Sequence, residues 1–270
     1  MKRRDFLRGR ATPQAAPEMG IQLYTVRDQM ESDVTRTLEA LGSMGYDFVE
    51  LAGLHGLDAR QMRRRLEDVG LRAESSHHDI YDIRDGWERV IEDALELGQS
   101  HVVIPWLPGD ERDAVSLERV ADDFNRGGEA AAAAGLRFGY HNHEWELMPL
   151  PDGRRPIDLL LSRTDPRYVD WQMDVYWVAH GYEDARAPFW HIERHGDRIT
   201  TLHVKDRTGE AEMVDVGDGV IDFARLLGLA RTESAVTHSF VEHDEPADSL
   251  STARRSLEHL RSILVPEVPR

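Results

Sequence analysis

From Gly20 onward the chain alternates short apolar runs with longer stretches whose apolar residues return at helical spacing. The runs are Gly20–Tyr24, Phe48–Leu51, Ala73–His77, His101–Pro105, Arg137–His141, Tyr168–Asp174, Ile199–Val204 and Ser239–Glu242. The amphipathic stretches are Val34–Met44, Ala59–Val69, Trp87–Leu97, Leu117–Ala134, Ile157–Ser162, Ala185–His195, Phe223–Ala230 and Ser249–Leu264. Most runs are apolar on both faces, as in a parallel sheet covered by helices. Gly45, Gly70, Gly98 and Gly135 each follow a helical pattern and suit a left-handed cap. Eight strand–helix units without hairpin signals predict an α/β protein, a (β/α)₈ barrel, as one domain over residues 18–270. An open doubly wound sheet is the alternative. It is disfavoured because Gln22-Leu23-Tyr24-Thr25-Val26-Arg27, not a glycine-rich phosphate loop, follows the first run. Two longer connections, Glu144–Arg155 and Lys205–Val220, have the length to form lids.

Composition narrows the chemistry. The 270 residues include no Cys, which excludes disulfides, thiolate zinc sites and iron–sulfur clusters. A transition metal must therefore be held by His and carboxylates. The formal charge of −17 opposes a nucleic-acid binder, whose footprint is basic. No stretch approaches the ~18–20 apolar residues of a membrane helix. The start, Met1-Lys2-Arg3-Arg4-Asp5-Phe6-Leu7, resembles a twin-arginine export signal, but Arg8-Gly9-Arg10 interrupts the apolar region that such a signal needs. Residues 1–17 are read as a disordered tail or a shortened signal outside the fold. A cytoplasmic protein is expected, with export as the alternative.

In a barrel, chemistry collects at the carboxyl ends of the strands. Strand side chains change face at each residue. His141, Asp174, His203 and Glu242 each close an apolar run, and alternation places them on one rim if their faces point inward. Singly, each is more often a capping or hydrogen-bonded residue. Together, two imidazoles and two carboxylates form a mixed set suited to Mn²⁺, with Zn²⁺, Fe²⁺ or Co²⁺ as alternatives. Trp106, Trp145 and Trp177 fall near the same rim and suit the apolar faces of a sugar ring. Beyond Arg27 and Lys205 the rim lacks a basic cluster, which favours a neutral sugar, keto-sugar or cyclitol over a sugar phosphate.

At these residues the sequence resembles the sugar phosphate isomerase/epimerase superfamily, the xylose isomerase-like barrels. The resemblance spans about Met19 to Leu264. It is carried by Gly20-Ile21-Gln22-Leu23-Tyr24-Thr25-Val26-Arg27, Gly135-Leu136-Arg137-Phe138-Gly139-Tyr140-His141-Asn142-His143, Met173-Asp174-Val175-Tyr176-Trp177, Leu202-His203-Val204-Lys205-Asp206, Val216-Gly217-Asp218-Gly219 and Phe240-Val241-Glu242. It implies a divalent metal held by Glu, Asp, His and Glu from strands five to eight. Asp174, His203 and Glu242 match, whereas His141 stands where many members have Glu. It further implies a substrate pocket at Tyr24, Arg27, Glu50, His77, Trp106, His143, Glu146, Trp177 and Lys205.

Such a site acidifies a C–H beside a carbonyl, and a general base removes the proton. The expected function is a metal-dependent sugar isomerase or epimerase. Glu242 is the base, His77 or His143 the acid, and Lys205 a donor to the developing oxyanion. A lyase or dehydratase acting on a 3-keto-glycoside or inosose is the alternative, because His141 removes one of the two carboxylates of a two-base epimerisation. A sugar-binding barrel without activity and a DNA-repair endonuclease are weaker readings; the second needs more metal ligands and a basic groove. A monomer and a homo-oligomer are both compatible with the sequence.

Overall fold

The computed structural model describes residues 18–264, so the export-signal reading of residues 1–17 lies outside the described residues. Eight parallel strands form the centre: β1 (Gly20–Gln22), β2 (Phe48–Leu51), β3 (Arg72–Ser76), β4 (His101–Ile104), β5 (Arg137–His141), β6 (Val169–Asp174), β7 (Ile199–Val204) and β8 (His238–Val241). Their order is β3-β2-β1-β8-β7-β6-β5-β4. A parallel bridge from His77 to Val103 joins the two ends, and the His78 N–H donates to the Val103 carbonyl at 2.9 Å. The nearly closed ring is the expected (β/α)₈ barrel.

Eight helices surround it: α1 (Val34–Met44), α2 (Ala59–Asp68), α3 (Trp87–Leu97), α4 (Ala114–Ala133), α5 (Pro156–Arg163), α6 (Ala187–His195), α7 (Phe223–Glu233) and α8 (Ser249–Leu264). Gly45 and Gly98 end α1 and α3 in the left-handed conformation, at φ 96° and 77°. Helix α4 begins earlier than the apolar pattern suggests. The Asp113 carboxylate accepts the Val115 and Ser116 N–H groups and starts the helix there.

Strand β1 is shorter than expected. The Gln22 side chain accepts the Tyr24 N–H at 3.0 Å and turns the chain into a 3₁₀ segment, Leu23–Val26. Three short helices at the strand ends, Arg27–Ser32, Ile80–Arg84 and Val175–Gly181, have no counterpart in the sequence reading. One to two turns are too short for a helical period to register.

The barrel interior is layered. Phe48 and Phe240 meet edge to face at 5.3 Å, and both are fully buried. Gly20 makes that pair possible, since a Cβ there would lie 2.2 Å from the Phe48 ring. Above this apolar floor sits a polar layer of Gln22, Glu50, Gln172 and His203, all fully buried.

The Lys205–Val220 connection is a fixed wall rather than a free lid. Asp206–Arg207 pairs antiparallel with Met213–Val214. The Asp206 carboxylate accepts the N–H groups of Gly217, Gly219 and Ile221 at 2.9, 3.1 and 3.2 Å.

Candidate active site

The carboxyl ends of β5, β6, β7 and β8 deliver His141, Asp174, His203 and Glu242 to one point. A ligand atom from each lies within 4.8 Å of those of the other three. All four side chains are buried. Parallel pairing explains the convergence, because Asp174 is in register with His203 and His203 with Phe240, two residues before Glu242.

Each group is held from behind. Asn142 Oδ1 accepts the Asp174 N–H at 3.0 Å and the Trp171 indole N–H at 2.8 Å, fixing the end of β6. Asp174 Oδ1 accepts the Trp177 N–H at 2.8 Å and caps the following helix. Asp174 Oδ2 is buried and receives no directed hydrogen bond. His203 lies between two carboxylates, with Nδ1 2.5 Å from Glu242 Oε2 and Nε2 2.5 Å from Glu50 Oε1. His141 Nδ1 is 3.1 Å from Gln172 Oε1, and its Nε2 faces Asp174 Oδ2 at 3.7 Å.

Lys205 completes the cluster. Its Nζ lies 2.8 Å from Glu242 Oε2, 2.7 Å from Asp244 Oδ1 and 3.0 Å from Asp174 Oδ2. The ammonium is therefore partnered by these three carboxylates rather than by its neighbour Asp206.

Electrostatics follow the packing. Burial works against ionised Glu242, but Lys205 and His203 outweigh it and hold the carboxyl below its usual range. Burial raises Asp174 to about 6, with Lys205 and His203 pulling the other way. Burial disfavours charge on His203, yet Glu242 and Glu50 push it up to about 10. His141 and His143 stay neutral, chiefly through burial, with His143 lowered to about 3. A neutral His141 is the ligating form of imidazole. Two imidazoles and two carboxylates, all buried and with ligand atoms within 4.8 Å of one another, fit a divalent ion.

A cavity of about 410 Å³ opens above the cluster. Its wall includes Tyr24, His77, Trp106, His143, Lys205 and Glu242 from the expected set. Other expected residues lie elsewhere. Glu50 is fully buried beneath His203. Glu146 is also fully buried, bonded to the Tyr140 hydroxyl and accepting the His143 N–H at 2.8 Å. Arg27 turns back over the Tyr24 ring, at 4.1 Å from its centroid, and donates to the Tyr24 carbonyl. Trp177 stands behind the pocket, its ring 5.6 Å from that of His143. Arg27, Glu50, Glu146 and Trp177 thus do not line the cavity.

The two candidate acids differ. His77 Nε2 lies 2.9 Å from both Gln172 Oε1 and Glu50 Oε1, and its Nδ1 3.3 Å from Gln22 Nε2. Both nitrogens face inward. His143 Nδ1 has no hydrogen-bond partner.

Sequence reasoning missed His78, Asp79 and Asp244 on the cavity wall. Asp244 carried a usable signal, since it stands two residues beyond Glu242. Gln22 and Gln172 were missed as well; uncharged amides show no chemistry until a carboxylate lies between them.

A (β/α)₈ barrel with a His/Asp/His/Glu cluster at its carboxyl rim is the class that fold and site define. Residues 38–263 match the xylose isomerase-like TIM barrel family, and the chain belongs to it. The structure is similar to a sugar phosphate isomerase/epimerase from Parabacteroides distasonis ATCC 8503, with 26% identity, TM-score 0.80, and 94% of this chain and 97% of that one covered. It is also similar to a xylose isomerase-like TIM barrel protein from Mycobacterium smegmatis in complex with magnesium, with 15% identity, TM-score 0.72, and coverage of 93% and 97%. A third likeness is to the probable 3-DHS dehydratase AsbF of Bacillus anthracis, with 12% identity, TM-score 0.69, and coverage of 90% and 98%. No curated protein matches the chain. Among the described residues no helix is long and apolar enough to cross a membrane.

Proposed function

We propose that this protein is a divalent-metal-dependent isomerase or epimerase of a neutral sugar or keto-sugar. The observation that carries the reading is the convergence of His141, Asp174, His203 and Glu242 beneath a cavity of about 410 Å³. When bound there, a divalent ion supplies the polarisation that acidifies a C–H next to a carbonyl. The mixed nitrogen and oxygen set suits Mn²⁺ first, then Zn²⁺, Fe²⁺ or Co²⁺.

The chain's own residues supply the rest. Glu242 lines the cavity and is held ionised by Lys205 and His203, so it is the base that takes the substrate proton. Lys205 also lines the cavity and donates to the oxygen on which negative charge develops. His143, with a free nitrogen, is placed to carry a proton between substrate positions; His77 holds the wall. Tyr24 and Trp106 are exposed aromatic side chains on the wall, against which a sugar ring can pack. Lys205 is the only Lys or Arg on the described wall, which also carries Asp79 and Asp244. That balance disfavours a phosphate group.

Elimination is the second reading. It is favoured by His141, which leaves Glu242 without a second carboxylate base from strand β5. Loss of a β-hydroxyl or β-glycosyl group then follows proton removal in place of return to the carbon.

The test is product analysis in D₂O with the Mn²⁺-loaded protein and a panel of keto-sugars. Deuterium is expected next to the carbonyl, and Glu242→Gln is expected to slow its entry by ~10²–10⁴-fold. Unchanged exchange in Glu242→Gln would remove Glu242 as base. Release of water or an aglycone by the wild type selects elimination. His141→Glu is then expected to weaken that release; unchanged products with a changed metal preference mean that His141 only tunes the ion.

A further inference from the structure

His203 has two nitrogens and faces two ligand clusters. It belongs to one group of possible ligands with His141, Asp174 and Glu242, where its Nδ1 meets Glu242, and to a second with His77 and His141. An ion can claim His203 from only one side in a single-metal site. We infer that Glu50 decides the side: it holds the His203 Nε2–H, leaving Nδ1 as the ligand, and is therefore a positioning residue for the metal. The inference rests on the metal centre proposed above.

The argument is a count of donors. A carboxylate has about four lone-pair sites. Glu50 is fully buried, and four nitrogens converge on it. Gln22 Nε2 donates to Oε1 at 2.8 Å and Gln172 Nε2 to Oε2 at 2.8 Å. His203 Nε2 lies 2.5 Å and His77 Nε2 2.9 Å from Oε1. Three of the four meet Oε1, more than its two lone-pair sites, so the oxygen that faces His203 and His77 has no capacity left for an ion. On the opposite side Nδ1 faces Glu242 Oε2 at 2.5 Å, and Glu242 and Asp174 share the Lys205 ammonium at 2.8 and 3.0 Å. Glu242 and Glu50 thus lie on opposite sides of the imidazole, and Glu242 belongs to the four-residue ligand group whereas Glu50 does not. A ligating His that donates its other N–H to a carboxylate is fixed in tautomer and orientation, and loss of such a partner typically costs ~10–100-fold in metal affinity.

Two amides hold Glu50 in turn. Gln172 comes from β6 and Gln22 from the end of β1, across the barrel. Gln172 Oε1 also lies within reach of His141 Nδ1 and His77 Nε2. One buried amide thus orients both candidate ligand histidines, directly or through Glu50.

The test reads the imidazole itself. Long-range ¹H–¹⁵N spectra of histidine-labelled wild-type protein, with and without Zn²⁺, report which nitrogen carries the proton. The expected result is a slowly exchanging Nε2–H on His203 that persists with Zn²⁺, together with an Nδ1 shift to the metal-bound range. In Glu50→Gln, Zn²⁺ affinity measured by chelator competition is expected to fall ~10–100-fold. Glu50→Asp, which keeps a carboxylate, is expected to recover part of the loss. Coordination through Nε2, or equal Zn²⁺ affinity in Glu50→Gln and wild type, would overturn the assignment of Glu50 while leaving the metal centre standing. Failure of the wild type to bind Zn²⁺ would overturn the metal centre and this assignment with it. The wild-type spectra need no variant to fold.

Discussion

Glu146 is a fully buried carboxyl group. Burial raises it to about 8 against bonds from Tyr140 and the His143 N–H that favour its charged form. Between pH 4.5 and 8 the folded chain keeps a proton there that the unfolded chain has released. Stability from this group is therefore present at low pH and is lost as pH rises through about 8. The steepest slope is about 1.4 kcal/mol per pH unit. Glu146→Gln mimics the neutral acid: its amide can donate to the Tyr140 oxygen and accept the His143 N–H. Urea titrations at pH 5, 7 and 9 are expected to show the variant gaining on the wild type as pH rises. A constant difference across that range would assign the alkaline loss to other groups. At this scale the sequence was legible for ligand type and poor for direction. His141, Asp174, His203 and Glu242 converge because strand alternation set their faces. Glu50 follows the same alternation, yet its role depends on three other strands, and no local pattern carries that.

At the scale of elements, the wall between β7 and α7 is held by one carboxylate. Asp206 accepts three N–H groups from the 217–221 turn, and Gly219 leaves it room, since a Cβ there would lie 2.2 Å from Asp206 Oδ1. Removing the acceptor leaves buried donors unpaired, at about 1–3 kcal/mol each when water cannot replace the partner. Asp206→Ala is expected to lower stability by ~2–4 kcal/mol and to open the 208–220 segment to limited proteolysis. Cleavage at the wild-type rate would show that the small strand pair alone suffices. Strand positions were readable from apolar runs bounded by glycine. The staple was not, because Asp206 before a glycine-rich turn reads equally well as a surface cap. The helices after β1, β3 and β6 escaped for want of length, although Asp79 and Asp174 cap two of them.

For the whole molecule, the formal charge of −17 disfavours compaction, and a divalent cation held by the proposed ligand set would relieve part of that strain. Binding to the folded state alone stabilises by ~2.7 kcal/mol at a hundredfold excess over Kd. For a chain of this size that is a Tm rise of roughly 5–10 °C. The expectation is that Mn²⁺ produces it, that KCl at equal ionic strength does not, and that His203→Ala abolishes it. An equal rise in KCl would attribute the effect to screening. The architecture was legible at this scale because eight repeats of one pattern leave few alternatives.

The join between β3 and β4 has a further meaning. Every other neighbouring pair of strands shares a run of register partners, whereas this pair meets at the His77–Val103 bridge, the His78 amide and, lower down, the Ser100 amide on the Glu74 carbonyl. The ring behaves as a bracelet with one clasp. Its easiest distortion is to unclasp there, and amide protons of His78 and Ser100 are expected to exchange sooner than those along β6 and β7; equal protection around the ring would deny it. His77 is both a link of the clasp and a panel of the cavity wall. Opening the clasp is then expected to widen the mouth of the cavity as well, and a ligand wedged against His77 is expected to hold both shut.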